Sequence, residues 1–235
     1  MSDGTCLQVE NLHAYYDESH ILHGVNFSVQ QGECLSLLGR NGAGRTTTLR
    51  AILGLTSRRT GSIKINGAET IGWPAHRIAQ LGVGYCPEER GIYASLSCEE
   101  NLLMPPQVGA EGMSVTELYE LFPNLKERRH SPGMRLSGGE QQMLALARIL
   151  RTGARLLLLD EISEGLAPVI VQRLAEVIRL LKERRYTIVL VEQNFKFAAP
   201  LADRFVVMEH GQICMDINQQ ELPEKMNRLN QLLGI

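Results

Sequence analysis

Short apolar runs alternate with amphipathic stretches along this chain, and the lengths of the two kinds of segment predict its elements. Cys34 to Leu38, Leu156 to Leu159 and Thr187 to Val191 are almost wholly apolar or β-branched, as central strands covered on both faces would be. Thr46 to Leu53 follows the first of these runs at the distance of a helix packed back on its strand. Such alternation predicts an α/β fold with a largely parallel sheet flanked by helices. Between Glu88 and Arg135 the texture changes. Pro105, Pro106, Gly109, Gly112, Pro123 and Pro132 punctuate short amphipathic pieces such as Val115 to Phe122, which predicts an inserted helical subdomain. Ser137 and Glu140 have the spacing of a capping box, opening a helix with Met143, Leu144, Ala147 and Leu150 on one side. Leu222, Met226, Leu229, Leu232 and Leu233 recur at helical spacing and predict a C-terminal helix against the main lobe. The chain carries no internal repeat.

Composition narrows the picture modestly. With 235 residues, 44% of them hydrophobic, the chain is long enough for one α/β domain with an insert. A formal net charge of -2 provides no basic field, so nucleic acid is not expected as a partner. No apolar run reaches the roughly eighteen residues of a membrane helix, and Met1 to Thr5 lacks a charged-then-apolar leader, so a cytoplasmic location is expected. Five cysteines without a Cys-x-x-Cys pair predict neither a zinc site nor a disulfide framework. The six histidines show no ligand spacing.

Gly39-Arg40-Asn41-Gly42-Ala43-Gly44-Arg45-Thr46 lies between a predicted strand and a predicted helix, the setting of a phosphate-binding loop. Gly39, Gly42 and Gly44 permit backbone conformations and close approaches that a Cβ would obstruct, so that successive N–H groups, including those of Asn41 and Ala43, converge on phosphates. A hydroxyl of Thr46 or Thr47 can then ligate Mg²⁺; the motif favours Thr46, with Thr47 on a phosphate oxygen. Arg45 stands where this loop carries lysine. It keeps the charge but replaces a compact ammonium with a wider planar fork, and weaker turnover than with lysine is expected.

Asp160 and Glu161 end a run of four leucines, at the carboxyl edge of the sheet where α/β ligand sites form. Asp160 suits a metal held through water, and Glu161 the orientation or deprotonation of an attacking water. Gly138 and Gly139, costly inside a helix, leave the backbone at the start of the Ser137 helix open to an anion.

The glycine loop, Leu136-Ser137-Gly138-Gly139-Glu140 and the Asp160-Glu161 pair together resemble the ATP-binding subunits of ATP-binding cassette (ABC) transporters over essentially the whole chain. Tyr85 to Ile92, Glu99 to Leu103, Ser163 to Pro168 and Val191 to Asn194 narrow the resemblance to the branched-chain amino acid uptake group and its urea or amide relatives. The resemblance implies a P-loop NTPase core with a mainly parallel central sheet, an antiparallel β subdomain and an inserted helical subdomain, residues 1–87 and 149–235 forming the ATP-binding lobe and 88–148 the helical and signature part. It implies ATP and Mg²⁺ as cofactors and ATP hydrolysis as the activity. Arg45, Glu161 and Gln193 would be catalytic, Gln193 where most ABC proteins have histidine. Thr46, Asp160 and Glu88 would hold the metal, Glu88 where most have glutamine. Tyr16 matches the aromatic that stacks on adenine, although Tyr15 and Tyr16 also suit plain strand positions. Ser137, Gly138, Gly139 and Glu140 would meet the γ-phosphate bound by the other subunit, in a homodimer or with a second ATPase.

The implied partners are two integral-membrane permeases, with a periplasmic substrate-binding protein acting indirectly, at the cytoplasmic face of the inner membrane. The permease contact is expected in the Glu88 to Met104 stretch and the neighbouring helical insert, where exposure of Ile92, Tyr93 and Leu96 would mark an interface. Two further departures from the family pattern touch the nucleotide segments. Ile162 replaces a proline, which would loosen Glu161 and Ser163, and Asp17 replaces a glycine. An ATP-gated dimerisation module with impaired hydrolysis, and an ABC ATPase of lipid export or cofactor assembly, are the alternatives to import.

Overall fold

The computed structural model describes residues 4–234; Met1, Ser2 and Asp3, on which the expectation about a leader falls, and Ile235 lie outside the described residues. In chain order the strands and helices are β1 (Thr5–Tyr16), β2 (Ser19–Gln30), β3 (Cys34–Gly39), α1 (Arg45–Ile52), β4 (Arg58–Ile65), β5 (Ala68–Glu69), α2 (Ala75–Ala79) and β6 (Val83–Cys86). There follow α3 (Cys98–Leu103), α4 (Val115–Leu121), α5 (Pro123–Glu127), α6 (Gly138–Arg151), β7 (Leu156–Asp160) and α7 (Pro168–Glu183). The chain continues through β8 (Thr187–Glu192), α8 (Phe195–Ala198), β9 (Arg204–Glu209), β10 (Gln212–Asn218) and α9 (Leu222–Leu233).

Two sheets organise these elements. An antiparallel sheet runs β2-β1-β4-β5, and a second runs β10-β9-β3-β8-β7-β6. In the second, β9, β3, β8, β7 and β6 are mutually parallel and only the edge strand β10 is antiparallel. The β1–β2 turn places Asp17 in the left-handed region at φ 50°. Aspartate is among the few residues that visit this region readily, so the turn forms without the glycine of the family pattern.

The larger sheet is a wall shared by two apolar cores. Leu157 and Leu159 of β7, Ile188 and Leu190 of β8, and Phe205 and Val207 of β9 face the helices. Leu156, Leu158, Val189, Val191, Val206 and Met208 face the antiparallel sheet and α1. Successive side chains of a strand point to opposite faces, so a run of leucines without alternation is what a strand buried on both sides requires. Burying each contributes roughly 2 kcal/mol relative to exposure. Leu102, Leu118, Phe122 and Leu125, from α3 to α5, join Met143, Leu146 and Leu150 of α6 in the helix-side core. Leu229 of α9 is fully buried in it, with Leu222, Met226, Leu232 and Leu233 packed at its edge. No helix among the described residues is long and apolar enough to cross a membrane.

Candidate functional site

The loop between β3 and α1 is built for close backbone approach. A Cβ on Gly39 would lie 2.5 Å from the Met208 carbonyl oxygen. Gly42 and Gly44 take φ of 78° and 104°, a region glycine occupies without steric cost. Gly44 caps α1 without a side-chain hydrogen bond, leaving the first-turn N–H groups to face a cavity of about 280 Å³. Asn41, Gly42, Ala43, Gly44, Arg45 and Thr46 line it on one side, and Glu88, Glu161 and Glu164 on the other. Thr46 Oγ1 donates to Asp160 Oδ1 at 3.0 Å. Thr47 is half-buried beside it. Thr48 Oγ1 returns to the Gly44 carbonyl at 2.9 Å and closes the turn.

Asp160 is fully buried and accepts a second hydrogen bond from the Tyr85 hydroxyl at 3.1 Å. Burial pushes its carboxyl above the usual range, while the Thr46 and Tyr85 bonds act the other way. Glu161, the next residue, has φ 48°, and its N–H bonds the Val191 carbonyl at 2.9 Å. Its Oε1 accepts from Arg45 Nη2 at 2.7 Å, and the same nitrogen lies 3.3 Å from Asn41 Oδ1. Arg45 Nη1 is buried and has no hydrogen-bond partner among the described residues. Burial raises the Glu161 carboxyl, as does Glu164, against the pull of Arg45. One oxygen from each of Glu88, Glu161 and Glu164 falls within 4.8 Å of the others.

The residues present fit the groups that the sequence implies. A buried guanidinium nitrogen without a partner among the described residues, at a loop with two left-handed glycines and an uncapped helix start, suits an anion. The oxygen donors Thr46, Asp160 and Glu88 are those that a hard divalent cation takes.

The remaining candidate residues stand apart from this cavity. Ser137 forms the capping box, its hydroxyl accepting from the Glu140 N–H and its own N–H donating to Glu140 Oε2 at 2.7 Å. Gly138 lies against the Arg90 guanidinium, and a Cβ on Gly139 would come 2.8 Å from Ile170 Cγ1. Glu140 also pairs with Arg128 at 3.5 Å. None of Ser137, Gly138, Gly139, Glu140, Tyr16 or Gln193 lines the 280 Å³ cavity. The two tyrosines at the end of β1 differ. Tyr15 is sandwiched between His20, stacked at 4.2 Å, and the Arg58 guanidinium at 4.0 Å, whereas Tyr16 makes no ring stack among the described residues.

Gln193 is exposed and lines a larger cavity of about 910 Å³ with Ser163, Glu164, Glu192 and Phe197. Ile162 is 1% exposed and joins the helix-side core, and Ser163 after it is tied by its N–H and its hydroxyl to Glu192. The segment expected to loosen for want of proline is held at both residues. Sequence reasoning missed Glu192 and Tyr85; an acidic residue closing an otherwise apolar strand run was the available signal for Glu192. It also missed that His13, His20 and His23 meet on one face of the β1–β2 hairpin, with His13 Nδ1 and His20 Nε2 3.1 Å apart.

The sequence pattern of the ABC transporter family matches residues 22–164, across the glycine loop, the Ser137 turn and the acidic pair. The chain belongs to the ABC transporter family. It is an ATPase subunit that binds adenine nucleotide, and subunits of this family dimerise and work with membrane permeases. It is 41% identical over 212 residues to the high-affinity branched-chain amino acid transport ATP-binding protein BraG of Pseudomonas aeruginosa, covering 89% of this chain and 91% of BraG. It is 33% identical over 215 residues to the lipopolysaccharide export system ATP-binding protein LptB of Haemophilus influenzae, covering 88% of each. Among solved structures, an ATP-binding subunit of an ABC transporter superposes with a TM-score of 0.82 at 28% identity, covering 98% of this chain and 100% of that one.

Proposed function

We propose that this ABC subunit energises uptake of branched-chain amino acids or related small amides, coupling ATP binding and hydrolysis to the motion of two permeases. The ATPase chemistry rests on one observation: the consecutive carboxylates Asp160 and Glu161 reach two consecutive loop residues, Thr46 and Arg45. The import reading rests on the likeness to BraG.

In this reading the N–H groups of residues 41, 42 and 44–46 bind the phosphates, that of Ala43 being donated to the Arg40 carbonyl at 3.0 Å, and Arg45 turns its free nitrogen to a phosphate oxygen. Thr46, Asp160 and Glu88 would hold Mg²⁺, which when bound offsets charge developing on the phosphoryl oxygens. Glu161 takes the proton of the attacking water or orients it, and Gln193 orients the same water by hydrogen bonding. Tyr16 stacks on the base. Ser137, Gly138, Gly139 and Glu140 of one subunit close over the nucleotide of its partner, in a homodimer or with a second ATPase. The 88–148 stretch forms the helical subdomain that meets the permeases at the cytoplasmic face of the inner membrane. Tyr93, Leu103, Met104 and Met134 are its exposed large apolar residues, whereas Ile92 and Leu96 are half-buried.

A second reading, ATP-gated dimerisation with slow hydrolysis, is favoured by the Arg45–Glu161 pair, which occupies the base. Reconstitution with the permeases and the substrate-binding protein tests both. Uptake of leucine, isoleucine, valine or a small amide driven by ATP is expected. ATP-dependent dimerisation with hydrolysis near background and no uptake selects the second reading, and extraction of lipopolysaccharide in place of uptake selects an exporter like LptB.

A further inference from the structure

Glu192 ends β8 with 1% of its surface exposed, between the two loops that carry Glu161 and Gln193. Its Oε1 accepts from the Ser163 N–H at 3.1 Å and its Oε2 from the Ser163 hydroxyl at 2.8 Å. The Asn194 side chain, next but one along the chain, accepts from the Phe197 N–H and caps α8. A single buried side chain therefore spans two adjacent strand ends, β7 on one side and β8 on the other.

Glu161 needs such an arrangement. Its φ of 48° is a conformation that costs a non-glycine residue on the order of 1–3 kcal/mol and persists only where the surroundings over-determine it. On its N-terminal side the N–H is fixed to Val191. On its C-terminal side the proline that fixes φ in the family pattern is absent, and Ile162 is held by core packing with no ring to set that torsion. The first polar anchor after it is Ser163, held by Glu192.

We propose that Glu192 is a positioning residue for ATP hydrolysis, clamping the loop after β7 so that Glu161 stays poised at the glycine loop and in register with Gln193. It does not line the cavity at the glycine loop. The inference rests on the assignment of Glu161 as the base. Three features separate it from core filling. Both oxygens are used on one residue of the neighbouring loop, the bonds include a side chain and a backbone donor, and an apolar isostere would satisfy neither.

The test is steady-state and single-turnover ATPase of the full chain, with nucleotide affinity measured on each variant by binding of a fluorescent ATP analogue. Glu192→Ala is expected to lower kcat by about 10- to 100-fold, the scale of a misplaced reacting group, with KM for ATP within about 3-fold of the native value. Glu192→Gln, which keeps an acceptor for the Ser163 N–H and a donor for its hydroxyl, is expected to stay within about 5-fold of native kcat. Ser163→Ala, removing one of the two bonds, should fall between them, and adding it to Glu192→Ala should cost nothing further. The proposal is overturned if Glu192→Ala keeps native kcat, if Gln and Ala fall equally while both remain folded by circular dichroism, or if KM rises with kcat unchanged. Failure of native chain to bind the nucleotide analogue would instead remove the nucleotide assignment itself.

Discussion

Arg45 Nη2 lies 2.7 Å from Glu161 Oε1, and neither side chain is more than 9% exposed. In the proposed mechanism the cation that serves the phosphates is thereby the partner of the carboxylate that serves the water. Arg45→Ala would strand a buried carboxylate, and we expect it to destabilise the fold by about 3 kcal/mol in urea unfolding and to abolish turnover. Arg45→Lys keeps a charge but replaces the planar fork, whose Nη2 alone meets Asn41 and Glu161, with a compact ammonium on a different reach. It should raise steady-state ATPase in the assembled transporter, and equal rates for lysine and arginine would show that the fork imposes no brake.

The glycines of the phosphate loop should differ in cost. A Cβ at Gly39 would collide with the Met208 backbone, whereas one at Gly42 meets nothing within 4 Å. Gly42→Ala should therefore cost only the left-handed conformation, roughly 1–2 kcal/mol, and Gly39→Ala more than that because backbone cannot step aside. Thermal denaturation of the two variants gives the order, and a Gly42 variant less stable than the Gly39 one would refute it.

Ser137 has a structural task and a proposed anion-binding one, and they can be separated. Ser137→Ala removes the cap of α6 and should cost about 1 kcal/mol. Ser137→Asp keeps a good cap, so its stability should stay within about 0.5 kcal/mol of native, yet it sets a carboxylate before a phosphate. We expect it to bind ATP as a monomer and to lose dimer-dependent turnover by roughly 10²-fold. Native activity with aspartate would mean the turn serves only the helix.

Burial pushes the Glu192 carboxyl up to about 7, against hydrogen bonds that lower it. The folded chain then holds this proton more tightly than the unfolded one, whose carboxyl titrates near 4.5. The resulting stabilisation is complete below about pH 4.5 and is lost as pH rises through 7. Across that window native protein should lose up to about 3 kcal/mol relative to Glu192→Gln, as followed by urea unfolding at successive pH values. Parallel stability curves for the two proteins would contradict this origin.

Much of the architecture is legible in the sequence because burial on both faces leaves a plain mark. Leu156 to Leu159 and Thr187 to Val191 became β7 and β8, and α1 begins at Arg45, one residue before the predicted start. The antiparallel sheet is harder to read from periodicity. β1 and β2 are twelve residues long, and bulges such as the one between Val9 and Leu12 break their period of two. The same irregular pairing explains why the histidines gave no signal, since His13, His20 and His23 become neighbours only through cross-strand register. At the site, spacing singled out the glycine loop, Asp160 and Glu161 as candidates, and they lie together because strand and helix ends place them so. It could not reveal that Arg45 turns to Glu161, nor that Glu192 reaches Ser163 across 29 positions, because these contacts are decided by sheet order. Ile162 illustrates the limit of arguing from backbone freedom alone. Its side chain found the core, and a neighbouring carboxylate supplied the restraint.

The four leucines of β7 lean alternately into the two cores, and the acidic pair sits at their end. A packing fault on either side of the sheet, tens of residues away in sequence, would arrive at the carboxylates through the same short rod. Both halves of the molecule thus hold a veto over hydrolysis, and substitutions that slow the enzyme should be found far from any nucleotide contact.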